Sequence, residues 1–257
     1  MHMPEDIESM LSTLEGVCRQ DGSAGPGPEE VCRERVIRLY LNGEAMGSLV
    51  ASPGQLRELG AGFVISEGLA ESVDRVEVFG ERVMVYGRST QKPLEVTTGT
   101  SGGISSGRVV KQVGSELTME TRDIFTVMDA IVSELWERTG GAHCSVLFSG
   151  NELVAKSSDV GRHNTVDKVI GHAVLGGIDL SRCVLGCTGR QPAGMVSKAA
   201  NAGIPIVVSK AATTDEGVRL ARQVGLTLVC RVRQGRFCVY SHPERILGLA
   251  AQCGTGG

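Results

Sequence analysis

The chain has 257 residues, enough for one large domain or two small ones and for a sizeable apolar core. Hydrophobic residues make up 41% and charged residues 21%, a globular composition and not a disordered one. A net charge of −3 with only 4% aromatics excludes a strong non-specific phosphate binder and a base-stacking surface, so no nucleic-acid partner is expected.

Residues 1–30 read as a poorly ordered lead, with the linker-like GSAGPGP over 22–28. A hairpin follows: RVIRLYL alternates, Asn42-Gly43 is a type I′ turn pair, and EAMGSLV returns. Ser52-Pro53-Gly54-Gln55 has the spacing of a capping box, ahead of Leu56, Leu59, Phe63 and Val64 at helical intervals. Short strands are expected over 73–79 and 82–86, then LEVTT, then the glycine-rich loop GTSGGISSG over 99–107. Ile124, Phe125, Met128, Ile131, Val132, Leu135 and Trp136 trace one face of a single long helix, closed by Gly140-Gly141. HCSVLF and ELVAK pair as strands. Helices over about 163–175, 192–202 and 215–224 then alternate with the strands CVLGC, IPIVVS and LTLVCRV, before a last strand FCVY. That alternation means βαβ units and a mainly parallel sheet. The expected organisation is a lead over 1–30, a mostly antiparallel β-rich module over 31–118, and an α/β domain over 119–257.

The eight cysteines contain no C-x-x-C, and most sit in apolar runs, so they read as reduced thiols packed in a core. The chain start, MHMPEDIESM, lacks a signal-peptide core, and no apolar run reaches the ~18 residues of a membrane span. A cytoplasmic protein with no membrane partner is expected.

Three polar loops fall at strand ends, where α/β sheets collect ligands: Thr188-Gly189-Arg190, Ala211 to Thr214, and Arg231 to Arg236. The loop Ser157 to Asn164 is the most polar of the chain and opens a helix. It reads either as an anion site gripped by Arg162 or as a capped helix start. Thr188 suits a helix cap. His143 beside Cys144 suggests an activated thiolate, yet strand neighbours point to opposite faces, which favours a core-edge histidine and a buried thiol. Zinc of the deaminase type needs H-x-E with P-C-x-x-C; residue 145 is Ser and the second motif is missing, so no metal is expected. The loop 99–107 lacks phosphate-loop spacing. A hydrolase would need Ser101 or Thr100 as nucleophile with His143 or His163 as base, and no nucleophile elbow supports it.

Taken in order, G-F-V-I-S-E-G (62–68), T-G-G-A-H (139–143), D-V-G-R-H-N-x-x-D-K (159–168), Gly189-Arg190, K-A-A-N-A-G-I-P (198–205) and G-R-F-C-V-Y-S-H-P-E-R-I (235–246) resemble the formate dehydrogenase accessory sulfurtransferases of the FdhD/NarQ type. The likeness spans about residues 33–247; each motif is weak alone, but the ordered set is specific. It implies a cytidine-deaminase-like three-layer α/β domain without zinc, plus a smaller β-rich N-terminal module. It also implies a cytoplasmic homodimer that takes sulfur from a cysteine desulfurase and passes it, through a cysteine persulfide, to Mo-bis(molybdopterin guanine dinucleotide) or its tungsten counterpart. The formate dehydrogenase apoenzyme then receives that cofactor. The cofactor, or a guanine nucleotide such as GDP, is expected on Arg231, Val232, Arg233, Gln234, Gly235 and Arg236. Arg162, His163, Asn164 and His143 are expected in the central pocket, with Asp159 orienting them and Arg190 meeting phosphate. One departure concerns the chemistry itself. The family carries C-G-x-C-G after T-T, whereas here Ser101 and Ile104 stand at the two cysteine positions. A serine hydroxyl forms no persulfide, so the sulfur relay needs another thiol, with Cys187 and Cys144 first by placement, or is absent in a cofactor-binding carrier, or the pocket has turned to a different ligand.

Overall fold

The computed structural model describes residues 5–20, 22–90, 97–98, 104–105 and 110–249. The expected lead is folded: β1 (Leu11–Gln20) and β2 (Ser23–Cys32) form an antiparallel ribbon in which Leu11 faces Cys32. Pro26 and Pro28 read as linker residues, but a two-stranded ribbon has open edges where a missing N–H is tolerated. Its base is anchored by Ile7, Met10 and Leu11 packed on Leu135 and Ala142, and Arg138 pairs with both Glu30 and Glu8.

β3 (Arg35–Leu41) and β4 (Glu44–Ala51) are joined by Asn42 and Gly43, both at positive φ as a type I′ turn requires. The capping box expected at Ser52 does not form. Gln55 precedes α1 (Leu56–Ser66) in the left-handed region, without a side-chain cap. The Ser52 hydroxyl instead accepts from the Val160 N–H, because tertiary packing brings that amide to it. β5 (Arg75–Phe79) and β6 (Arg82–Tyr86) complete a four-stranded sheet of order β4-β3-β6-β5, with only β3–β6 parallel. β7 (Thr97–Thr98) and β8 (Ile104–Ser105) make a short antiparallel ladder.

After β9 (Met119–Glu120), the single long helix expected from the apolar stripe is two helices, α2 (Thr121–Ala130) and α3 (Glu134–Thr139). Ser133 breaks the stripe: it sits in extended geometry, its hydroxyl accepts from the Trp136 N–H, and it is 2.7 Å from the Ser158 hydroxyl. Local capping with a tertiary partner outweighs the periodicity, and Val132 and Trp136 are left exposed.

β10 (His143–Ser149), β11 (Glu152–Asp159), α4 (Arg162–Leu175), β12 (Cys183–Cys187), α5 (Ala193–Asn201), β13 (Ile206–Ser209), α6 (Asp215–Val224), β14 (Thr227–Arg233) and β15 (Arg236–Ser241) build the larger sheet, and β16 (Ile246–Leu247) returns to β9. The strand order is β11-β10-β12-β13-β14-β15. Only β12–β13 and β13–β14 are parallel, so the sheet is mixed and not mainly parallel: hairpins close both of its edges. One face packs Leu147, Leu185, Val207 and Leu228 beneath α4, α5 and α6, while the other packs Val146, Val184, Ile206 and Val229 beneath α2. These are the three layers of the α/β part.

The core on the α4 side continues through α1 into the four-stranded sheet, taking in Phe63, Leu39 and Val83. α1 and α4 approach backbone to backbone. A Cβ on Gly62 would stand 1.7 Å from the Asp167 carbonyl oxygen, and one on Gly171 1.8 Å from that of Glu58. Charged side chains are sealed at this crossing. Lys198 bonds Asp167 at 2.8 Å and Glu67 at 2.7 Å, and Lys168 bonds Asp159 at 2.6 Å, all essentially inaccessible to water.

Candidate functional site

The carboxyl ends of β12, β13 and β14 and the start of β10 meet at one edge of the mixed sheet. Two cavities open there. The first, about 330 Å³, is lined by Lys210, Ala211, Ala212, Arg231, Arg233 and Arg236. The register of β14 on β15 breaks between Cys230 and Arg233, and Arg231 sits in the bulge at φ +56, bonded through its N–H to the Ala211 carbonyl at 2.9 Å. The bulge re-aims the chain so that Arg231, Arg233 and Arg236 are all exposed toward one cavity, while Val232 turns into the core at 2% exposure. Gln234 and Gly235 form the exposed turn between the arginines. Among the described residues none of these three arginines nor Lys210 has a carboxylate partner. Four cations converging without counter-charge suit a polyphosphate.

The second cavity, about 420 Å³, is mainly apolar, with Met128, Ile131, Trp136 and Val160 in its wall. His143, Cys144 and Thr188 give it polar points, and Lys210 belongs to both cavities. Thr188 does not cap a helix, since α5 begins five residues later. Its hydroxyl lies 3.1 Å from His143 Nδ1 and accepts from the Cys144 N–H at 3.0 Å, so it locks the strand end that presents both residues. His143 and Cys144 make no hydrogen bond to each other, as strand alternation requires.

Arg162, His163 and Arg190 line neither cavity, but the charges of Arg162 and Arg190 act on His143. Gly189 lies on the stem of Arg162: a Cβ there would be 2.8 Å from Arg162 Cβ. Burial, then the charge of Arg190, pulls the Arg162 guanidinium below its ordinary value. His143 is lowered first by burial and then by Arg162, and His163 is pushed down to about 3 by burial, helped by Lys198, Arg162 and His143. Both imidazoles are therefore neutral near pH 7. They can accept or donate a hydrogen bond but add no charge.

Other expected residues lie elsewhere. Asp159 is fully buried, held by Lys168, the Ser52 N–H at 3.0 Å and the Gly161 N–H at 2.8 Å. Asn164 donates to Asp159 and to the Val50 carbonyl, both at 2.8 Å. The two tie the start of α4 to the four-stranded sheet and line neither cavity. Arg190 is exposed beside Arg162. Cys144 lines a cavity while Cys187 does not, and burial pushes both thiols up to about 12. Ser101 and Thr100 lie outside the described residues. Lys210 and the apolar wall of Met128, Trp136 and Val160 escaped the sequence reading; a lysine directly after a strand's carboxyl end was the available signal for the first. Among the described residues no group of His, Cys, Asp and Glu could hold a metal ion, and no helix is long and apolar enough to cross a membrane.

Comparison with known proteins agrees with this architecture. Residues 32–247 match the model of the FdhD/NarQ family. The sulfur carrier protein FdhD of Methanothermobacter thermautotrophicus is 34% identical over 230 residues, covering 86% of this chain and 92% of that protein. Its counterpart in Thermoplasma acidophilum is 35% identical over 224 residues, covering 78% and 79%. The crystal structure of a candidate formate dehydrogenase accessory protein from Desulfotalea psychrophila superposes with a TM-score of 0.78 at 28% identity, over 93% of this chain and all of that one. The chain belongs to the FdhD/NarQ family.

Proposed function

We propose that this chain serves formate dehydrogenase maturation by holding the molybdenum or tungsten bis-guanine-dinucleotide cofactor as cargo, for delivery to the apoenzyme. One observation carries the reading: a cavity lined by four cations that have no carboxylate partner among the described residues adjoins a larger, mainly apolar cavity through the shared Lys210. The donor set fits such cargo. Arg231, Arg233, Arg236 and Lys210 match a pyrophosphate, and the wall of Met128, Ile131 and Trp136 matches a flat heterocycle, with neutral His143 as its hydrogen-bonding point.

The sulfur step is the part this chain supports least. Ser101 and Ile104 offer no thiol at the family's cysteine positions. Of the two substitutes, only Cys144 borders a cavity, and a thiol raised to about 12 is a thiolate for on the order of one molecule in 10⁵ at pH 7. The carrier reading is therefore preferred over a relay from a cysteine desulfurase. Calorimetric titration with GDP tests the cargo site: Arg236→Ala weakens binding by about 1–3 kcal/mol, the scale of one charge-assisted bond, and unchanged affinity refutes the assignment. Mass spectrometry after incubation with a cysteine desulfurase and cysteine tests the carrier reading. The natural chain stays free of persulfide, while the double substitution Ser101→Cys with Ile104→Cys gains one.

A further inference from the structure

Two thiols outside both cavities face each other across the sheet edge. Cys230 on β14 is directly opposed to Cys238 on β15 in the antiparallel register. They share a face: Cys230 belongs to the core beneath α6, and Tyr240, two residues from Cys238, packs on that same core, whereas Phe237 and Val239 pack on the other face. Opposed residues of an antiparallel pair have Cα atoms about 4.5–5.5 Å apart, inside the ~4.4–6.8 Å span of disulfides. Both thiols are free; Cys230 is fully buried, and Cys238 is half-buried on the edge strand. The pair also brackets the arginine bulge, since Arg231 follows Cys230 directly and Arg236 comes two residues before Cys238.

We propose that Cys230 and Cys238 form a dithiol site for small-molecule disulfides, and that its closure to a cross-strand disulfide fixes the bulge presenting Arg231, Arg233 and Arg236. The effect on ligand affinity rests on the cargo reading above; the dithiol itself does not. Cys238, the accessible thiol, attacks one sulfur of the small disulfide as its thiolate. A mixed disulfide forms, and one thiolate leaves and takes up the proton that Cys238 gave to solvent. Cys230 then loses its proton, attacks Cys238 Sγ and expels the second thiol. In sum the protein dithiol gives up two electrons and two protons, and the small disulfide becomes two thiols. Burial pushes Cys230 up to about 12, which leaves the first attack to Cys238; Cys230 resolves the mixed disulfide because it stands directly opposite it.

The test uses the full chain equilibrated in glutathione/glutathione-disulfide buffers of rising oxidation. Proteolysis without reductant, followed by mass spectrometry, reads the linkage, and calorimetry with GDP reads the pocket in the oxidised and reduced protein. The expected result is an intramolecular Cys230–Cys238 peptide lighter by two hydrogens, with a change in GDP affinity of roughly threefold or more as the bulge is preorganised. Cys230→Ser is expected to stop at a glutathione adduct on Cys238. A stable adduct on Cys238 in the natural chain, or a Cys238–Cys238 link between copies, overturns the dithiol. A cross-link that leaves GDP affinity unchanged overturns its coupling to the arginines. If GDP fails to bind even the reduced protein, it is the cargo reading that falls, and the linkage map still decides the dithiol.

Discussion

The α1–α4 crossing and the arginine edge draw on the same charged residue types and use them in opposite ways. At the crossing, Lys198 sits between Asp167 and Glu67, and Lys168 is held by Asp159, all cut off from water. At the sheet edge, Arg231, Arg233, Arg236 and Lys210 stand exposed around a cavity, with no carboxylate among the described residues to answer them. A buried charge must be paired within the fold, because desolvation costs several kcal/mol per ion. An exposed charge has no such requirement and is free to meet a ligand. The pairing pattern, more than the abundance of polar residues, separates the scaffold from the site.

The largest effect expected from this contrast is on folding. Lys198→Met leaves the sealed Asp167 without its counter-charge and lowers stability by about 3–5 kcal/mol in urea titration. Lys210→Met is expected to change it by less than about 0.5 kcal/mol. Equal losses would break the comparison. Gly62→Ala follows, at about 1–3 kcal/mol or more, because the added carbon meets a backbone oxygen that cannot swing aside. At the edge, Arg233→Ala and Lys210→Met should each weaken GDP binding by about 1–2 kcal/mol with an unchanged urea midpoint, so calorimetry and unfolding move in opposite patterns for the two regions.

The smallest effect concerns His163, which feels the charges of Lys198 and Arg162. His163 is held neutral, with its pKa pushed down to about 3 by burial and neighbouring cations, against roughly 6.5 in the unfolded chain. Across that window only the unfolded chain binds the proton, so stability falls as pH drops from 6.5 toward 3. The slope attributable to His163 is up to ~1.4 kcal/mol per pH unit. His163→Gln should flatten the curve between pH 6 and 4 by that amount; an unaltered slope means that the imidazole is not sealed.

Much of the chain was readable from local signals. Asn42-Gly43 marked its hairpin because few other pairs accept the left-handed region twice in succession. The strand Cys183–Cys187 and the helix Asp215–Val224 agree with their expected spans, since an unbroken apolar run and a strongly one-sided stripe leave little freedom. The failures share one cause. The reading of residues 1–30 as a lead rests on glycines and prolines that suit linkers, yet packing of Met10 and Leu11 on Leu135 anchors a two-stranded ribbon there. The helix break at Ser133 depends on Ser158, which lies 25 residues away in sequence. The loop around Asp159, the most polar of the chain, reads equally as an anion site or a capped helix start; its carboxylate is spent inside the fold, because Lys168 on the following helix pairs with it.

By itself, then, the amino-acid sequence determined the alternation of elements, the family motifs, the arginine-rich hairpin and the absence of thiols at positions 101 and 104, since each is a matter of residue type and local spacing. Tertiary structure alone decided which charges are spent internally. It also brought Lys210 to join Arg231 and His143 at one sheet edge and set Cys230 opposite Cys238. Pairing and register are long-range facts, fixed by strand order and by the energetic cost of burying an unanswered charge, and no local pattern of residues encodes them.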